Sequence, residues 1–358
     1  MSGRGVAALS SVLRGALAAL AMLTCAATAH ADPVGGAARA LQMQTAFNPA
    51  LPGAGEGVRV LVRNLKEMSG GLIAVKILEP GRIVPTPDML DAVVAGDLES
   101  AFTWSGYAVA KAPVFHLFAT LPFGPGPEDL VSWVQEGEGG RIHREAYAKL
   151  GVAAVPCGVQ GMEGGGWFRG AIESVADLKD RKLRFTGLAA ESLARLGAQP
   201  ADVKPGEFFF KLQQGAIDGG EMSTPAMDVA LGFEKLGLPY RMPGWHQPSA
   251  LIDFFMRRDR WEALSAAQRR QIETACRANV AWTLARSPVL QAHALERLAG
   301  AGIAIKTWSP ALLEAFRRES GVVIRELAQR DPDFAHGLAS QRAFVERNAA
   351  WRSIQRLP

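Results

Sequence analysis

The sequence predicts a two-lobed α/β fold closed by long C-terminal helices. Three observations carry that expectation. The first half alternates strand-like, β-branched runs with helix-like periodic runs, the pattern of βαβ units and a mainly parallel sheet. Of the 358 residues, about 325 remain after a cleavable N-terminus, more than one hydrophobic core usually holds. From Trp261 onward the chain reads mostly as long amphipathic helix.

Residues 1–31 read as a secretory signal peptide, cut before Asp32. They carry Arg4 and Arg14, no acid, an apolar run from Ala16 to Leu23, and a small-residue end at Ala29-His30-Ala31. That run is well short of the roughly 20 residues that span a bilayer. Met22-Leu23-Thr24 makes a poor lipobox ahead of Cys25, and no other segment is long and apolar enough for a membrane span. A soluble protein exported to the periplasm is expected. Removal of the two arginines lowers the formal charge from +4 to +2, and the remaining charges are interspersed, which argues against nucleic-acid binding.

The mature chain begins with "ARALQMQTAF" and a loop, "NPALPGAGEG". "GVRVLVRNLKEMSGG" has helical apolar spacing and stops at Gly70-Gly71. "LIAVKILEP" reads as a strand ended by Pro80-Gly81. "TPDMLDAVVAGDL" reads as a capped helix, with Thr86 or Asp88 as N-cap. "LESAFTW" and "GVAAVPCGV" read as strands. The glycine-rich Gly161–Gly166 follows, then a helical turn capped by Ser174, then the strand "KLRFTG". A helix from Glu207 to Gln214, a short strand at Ala216–Gly219, and the aromatic strand "SALIDFFMRR" complete the sheets. The expected lobes are discontinuous: 32–155 with 223–252, and 156–222 with 253–358. The chain would cross between them near Val155, Glu221 and Ile252. A ligand in such a fold sits between the lobes and is enclosed by hinge closure.

No catalytic spacing stands out. The histidines show no HExxH or HxH, and there is no GxSxG elbow or GxxxxGK[ST] loop. Cys157 and Cys276 could pair in an oxidising compartment, but the sequence favours two separate thiols, Cys157 being a small buried hydrophobe. Arg184 lies on an apolar strand between Leu183 and Phe185. It is either an edge residue with its head in water or a functional cation. Guanidinium is a permanent, rigid fork that matches a carboxylate, and in a closed cleft it would need an anionic partner. Glu163, in a glycine loop, and Glu221, after "IDGG", are either solvated acids or oxygen ligands for a hard cation. Phe47, Trp104, Tyr107, Trp167 and Trp245 lie near expected loops, as core packing or as cleft walls.

"GWFRGAIESVADLKDRKLRFTG", "GEFFFKLQQGAIDGGE", "LPGAGEGVRVLVRNLKEMSGGLIAVKILEPGRIVP", "LPFG" and "YRMPGWH" together resemble the substrate-binding proteins of tripartite ATP-independent periplasmic (TRAP) transporters, the DctP type, in their 2-oxo acid-binding branch. The resemblance covers most of the mature chain in the right order. It implies a periplasmic-binding-protein-like fold with a hinge. It also implies capture of a small organic acid, a 2-oxo acid or other monocarboxylate, for delivery to transporter membrane subunits. No enzyme activity and no organic cofactor go with it. Arg184 takes the place of the arginine that clamps the ligand carboxylate. Glu163, Glu221 and the Met222 carbonyl take the places that hold a bridging cation, sodium in the type case. The helical tail resembles one through which some members form swapped homodimers. Two positions depart from the pattern. Glu163 stands for an amide, which suits calcium better than sodium, and Met222 stands for a tryptophan, which enlarges the pocket. An exported enzyme, or the ligand-binding component of a sensor, is the alternative reading.

Overall fold

The computed structural model describes residues 38–354. The signal-peptide expectation, cleavage before Asp32 included, lies outside the described residues. In chain order the strands are β1 (Arg39–Thr45), β2 (Ile73–Leu78), β3 (Ser100–Trp104), β4 (Val152–Gln160), β5 (Gly166–Phe168) and β6 (Lys182–Arg184). Then come β7 (Gln199–Pro200), β8 (Gly219–Gly220), β9 (Tyr240–Met242), β10 (Ala250–Arg257) and β11 (Ile305–Thr307). They form two sheets, ordered β2-β1-β3-β10-β4 and β11-β9-β5-β8-β6-β7.

The first sheet is evenly mixed rather than mainly parallel, and the second has three parallel pairings against two antiparallel. In the first, β1 runs parallel to β2 and β3, whereas β10 is antiparallel to both β3 and β4. In the second, β5 is antiparallel to β8 and β9. The reason is topological. A local crossover helix returns a strand parallel, but β10 arrives from the other sheet and so can enter reversed. The chain leaves the first sheet after Gln160, stays with the second through Met242, and returns at Ala250. The segment from Pro225 to Tyr240 belongs with the second sheet because Ala226, Val229, Phe233 and Tyr240 share a core with Trp167 and Phe208.

The helices form where the apolar spacing asks for them. Ala54–Met68 buries Val58, Leu61 and Leu65, the three- and four-residue stripe, against Met43 and Phe102 of the first sheet. Val175–Leu178 is a short turn with Ser174 at its start as expected, and Asp177 completes a capping box there. The tail holds the expected long helix, the 35 residues of Ala266–Gly300, capped by Ser265 and Gln268. Its first half packs Ile272, Ala275 and Cys276 into the core of the first sheet. Its second half packs Ala294 and Leu298 into the core of the second, with Pro288 between the two halves. Cys157 on β4 and Cys276 on this helix form a disulfide. The expectation of separate thiols fails because the packing of helix on strand, which sequence spacing does not reveal, brings 119 positions of separation to bonding contact.

His116 lies in the 3-10 turn Pro113–Phe118. Its Nδ1 lies 2.6 Å from the Thr120 hydroxyl. Burial disfavours the charged ring and lowers its pKa from 6.5 to about 4. Between those values the unfolded chain binds the extra proton, so acidification destabilises the fold. Stability should be undiminished above pH 6.5 and fall toward pH 4 by up to roughly 3 kcal/mol from this residue. Melting temperatures of the wild type and His116→Gln should converge as pH drops through that window. Parallel curves would refute the assignment.

Candidate functional site

The two sheets meet at a cavity of about 510 Å³. Strand ends build it from both sides. On the first sheet, Phe47 follows β1, Trp104 ends β3, and Tyr107 sits in the next turn, Ser105–Ala108; all three line the cavity. On the second sheet, Arg184 ends β6, and β8 runs parallel beside it with Arg184 opposite Gly220. Glu221, the next residue, therefore emerges at the same sheet end as Arg184, the usual place for ligands in α/β sheets. The glycines of "IDGG" permit that approach, since a Cβ on Gly220 would sit 2.3 Å from the Arg184 carbonyl oxygen.

Glu163 reaches the same point on the loop between β4 and β5. Two backbone bonds tie this loop to the loop after β9: Gly244 N–H donates to the Glu163 carbonyl at 3.0 Å, and Glu163 N–H to the Gln247 carbonyl at 3.2 Å. Gly164 must be glycine there, because a Cβ would collide with the Tyr240 hydroxyl. The pairing of the two loops delivers His246, which sequence reasoning missed. The signal was the "PGWH" turn, but no spacing connects His246 to Glu163, 83 positions away.

Arg184 is 6% exposed and has the anionic partner its burial demands. Its Nη1 lies 2.8 Å from Glu221 Oε1 and also donates to the Glu221 carbonyl at 2.5 Å. Its Nε donates to the Val203 carbonyl at 3.4 Å, and its guanidinium lies over the Phe208 ring. None of these contacts uses Nη2. Glu163 accepts at Oε1 from Gln160 Nε2, 2.7 Å away, and its Oε2 lies 3.0 Å from His246 Nε2. Glu221 Oε2 lies 4.0 Å from the same His246 nitrogen. Glu163, Glu221 and His246 each offer a ligand atom within 4.8 Å of the others, the arrangement of a candidate metal centre. Burial raises the Glu163 pKa, and the Glu221 charge adds to the rise; His246 and Arg184 oppose it. Tyr107 is likewise held in its protonated form by burial, against the pull of Arg184.

Met222 lines the cavity beside Glu221. Two expected wall residues do not line it. Trp167 is fully buried in the second-sheet core, stacked on Phe233, where its Nε1 donates to Asp228 at 2.9 Å. Burial pushes the Asp228 pKa well above its ordinary value, disfavouring its charged form. Trp245 is also core, stacked on Phe316 and Phe123. Both face inward because alternation along the strand, and the turn at Pro243, put the large rings under the sheet rather than over the cleft.

A cleft between two α/β lobes, floored by a buried arginine and two acids, defines a solute-binding receptor. The chain belongs to the bacterial extracellular solute-binding protein family 7, whose model matches residues 48–331. It is 29% identical over 342 residues to a monocarboxylate 2-oxoacid-binding periplasmic protein from Nostoc, covering 96% of this chain and 94% of that one. A TRAP transporter solute-binding protein from Bordetella bronchiseptica, with copurified calcium and picolinate in its active site, superposes with TM-score 0.84 at 28% identity. That match covers 89% of this chain and 95% of the other. A TRAP periplasmic solute-binding protein from Pseudoalteromonas atlantica, with bound sodium and pyruvate, gives 0.81 at 26% identity, covering 88% and 96%. One from Colwellia psychrerythraea, with calcium and pyruvate, gives 0.82 at 26%, covering 88% and 97%.

Proposed function

We propose that this protein is a non-enzymatic periplasmic receptor that captures a small monocarboxylate, a 2-oxo acid in particular, between its lobes. It delivers that acid to the membrane subunits of a TRAP transporter. The observation that carries the reading is Arg184, buried at the cleft with Nη2 outside its protein contacts. A ligand carboxylate takes that donor, and the protonated Tyr107 hydroxyl lines the same cavity from the first-sheet side. Phe47, Leu51, Val109, Met222, Met227 and Leu231 give the remaining space an apolar lining, suited to the carbon tail of the acid. The pyruvate- and picolinate-bound relatives support the same ligand class.

Charge argues for a cation. Glu163 and Glu221 outnumber Arg184, and a ligand carboxylate adds a further negative charge. A divalent ion such as calcium balances that sum; sodium leaves it negative. The buried acids, so close together, fit such an ion, and the Met222 carbonyl would complete the set.

Calorimetry with a panel of organic acids tests both parts. The metal-free protein in chelator should bind its acid more weakly, and a divalent ion should restore the affinity while sodium restores less. Glu163→Gln should shift the preference toward sodium. Full affinity in chelator and sodium-free buffer would remove the cation. Consumption of the acid during the titration would replace the receptor with an enzyme.

A further inference from the structure

We infer that Asp253 is a positioning residue for ligand capture: through Ser105 it fixes the turn that carries Trp104 and Tyr107, the aromatic wall on the first-sheet side of the cavity. The inference rests on the reading above that this wall faces the bound acid, and goes beyond it by naming what holds the wall in place.

Three donors converge on one carboxylate. Asp253 lies on β10 and is 0% exposed. Its Oδ2 accepts from the Ser105 hydroxyl at 2.5 Å and from the Tyr147 hydroxyl at 2.7 Å. Its Oδ1 lies 2.9 Å from His143 Nε2. Ser105, His143 and Tyr147 are buried as well. His143 Nδ1 has no partner among the described residues. A hydrogen there would be a buried donor without an acceptor, so the ring hydrogen belongs on Nε2 and points at Asp253. Burial and the Asp253 charge raise the Tyr147 pKa, which keeps its hydroxyl a donor. All three bonds need an acceptor. A carboxylate supplies one at both oxygens, and an amide of the same shape does not.

Placement ties this network to the cavity. His143 and Tyr147 belong to the helix Gly139–Lys149, whereas Ser105 opens the turn Ser105–Ala108. Asp253 sits where β10 shifts register against β4, next to Ile252, which pairs with Trp104. Such irregularities re-aim a side chain. The Trp104 and Tyr107 rings meet edge to face, with centroids 5.3 Å apart and planes at 87°, and both line the cavity. Packing leaves slack behind them, since a void of about 10 Å³ borders Trp104, Tyr107 and Tyr147. Thr103 Oγ1 and Trp104 Nε1 have no partner among the described residues, so neither ties the segment down. The Ser105–Asp253 bond supplies that tie. A buried acid is weak evidence of stability for its own sake. A fully satisfied network instead fixes one geometry, and a wall already fixed binds without first being ordered.

The test compares the wild type with Ser105→Ala, which removes the tie alone. Amide hydrogen exchange is read first, without any acid. Exchange across residues 105–112 should quicken roughly 10-fold in Ser105→Ala, while residues 139–149 stay near wild type. Calorimetry with pyruvate and with picolinate follows. Ser105→Ala should weaken binding roughly 10-fold. In a Tyr107→Phe background the same change should matter much less, because both act through one wall. Leu130→Ala, in the core of the first sheet but outside the network, should lower the melting temperature and leave affinity unchanged. Asp253→Asn should repeat the Ser105→Ala pattern, and Ser105→Ala decides even if Asp253→Asn fails to fold. Unchanged exchange across 105–112, undiminished affinity in Ser105→Ala, or losses that simply add in the Tyr107 cycle would each overturn the inference. If neither acid binds the wild type, the receptor reading fails by itself, and the exchange measurement decides whether Asp253 holds the turn.

Discussion

Replacing Arg184 with alanine is expected to abolish capture of the cognate acid. The substitution removes the donor at the cleft and leaves Glu221 buried at 3% exposure without its cation. Losing one partner of a buried charge pair costs about 2–5 kcal/mol, which is roughly 30- to several-thousand-fold in affinity. The variant should also melt lower, because two carboxylates then face each other with less compensation. Arg184→Lys should recover part of the binding, since it restores charge without the planar fork. Calorimetry with the cognate acid, beside a thermal melt, separates lost binding from lost folding. Undiminished affinity in a folded Arg184→Ala protein would show that the carboxylate binds elsewhere.

Removing the disulfide should have the largest effect on stability. The Cys157–Cys276 bond closes a loop across 119 positions of separation. Loops of that size constrain the unfolded chain most, and the expected loss for the double alanine variant is about 3–5 kcal/mol. Both cysteines lie in the core of the first sheet and neither lines the cavity. Affinity for the acid should therefore survive wherever the variant remains folded. Denaturant midpoints of the wild type, oxidised and reduced, against the double variant measure this. Coincident midpoints would show that the bond adds nothing to stability.

Arg184 and Glu221, which we propose hold the carboxylate and the cation, stood out because their setting is local. Arg184 stands on a short strand whose neighbours are apolar, and Glu221 follows a glycine pair that only a close strand approach requires. A short motif could carry both. Phe47, Trp104 and Tyr107 line the cavity because each directly follows or ends a strand of the first sheet at the cavity end. Trp167 and Trp245 were not separable from these by type, since a ring that packs under a sheet and one that faces a cleft look alike in sequence. His246 depends on two loops meeting across 83 positions, and loop pairing leaves no periodic trace. The reversed direction of β10 and the disulfide are facts of topology, decided only when distant segments pack.

The helix Ala266–Gly300 gives the molecule a mechanical property that no single contact supplies. It is a strut shared by two bodies: bolted to the first by Cys276 and embedded in the second by Ala294 and Leu298. Two bodies joined by this strut, by a second shared helix, Pro310–Arg330, and by the two strand crossings cannot translate past each other without shearing a core. What is left to them is rotation. Pro288 lacks the amide that would complete the ladder at mid-strut, so bending is least resisted there. The consequence to expect is a jaw that opens by flexing these helices rather than by sliding one body over the other.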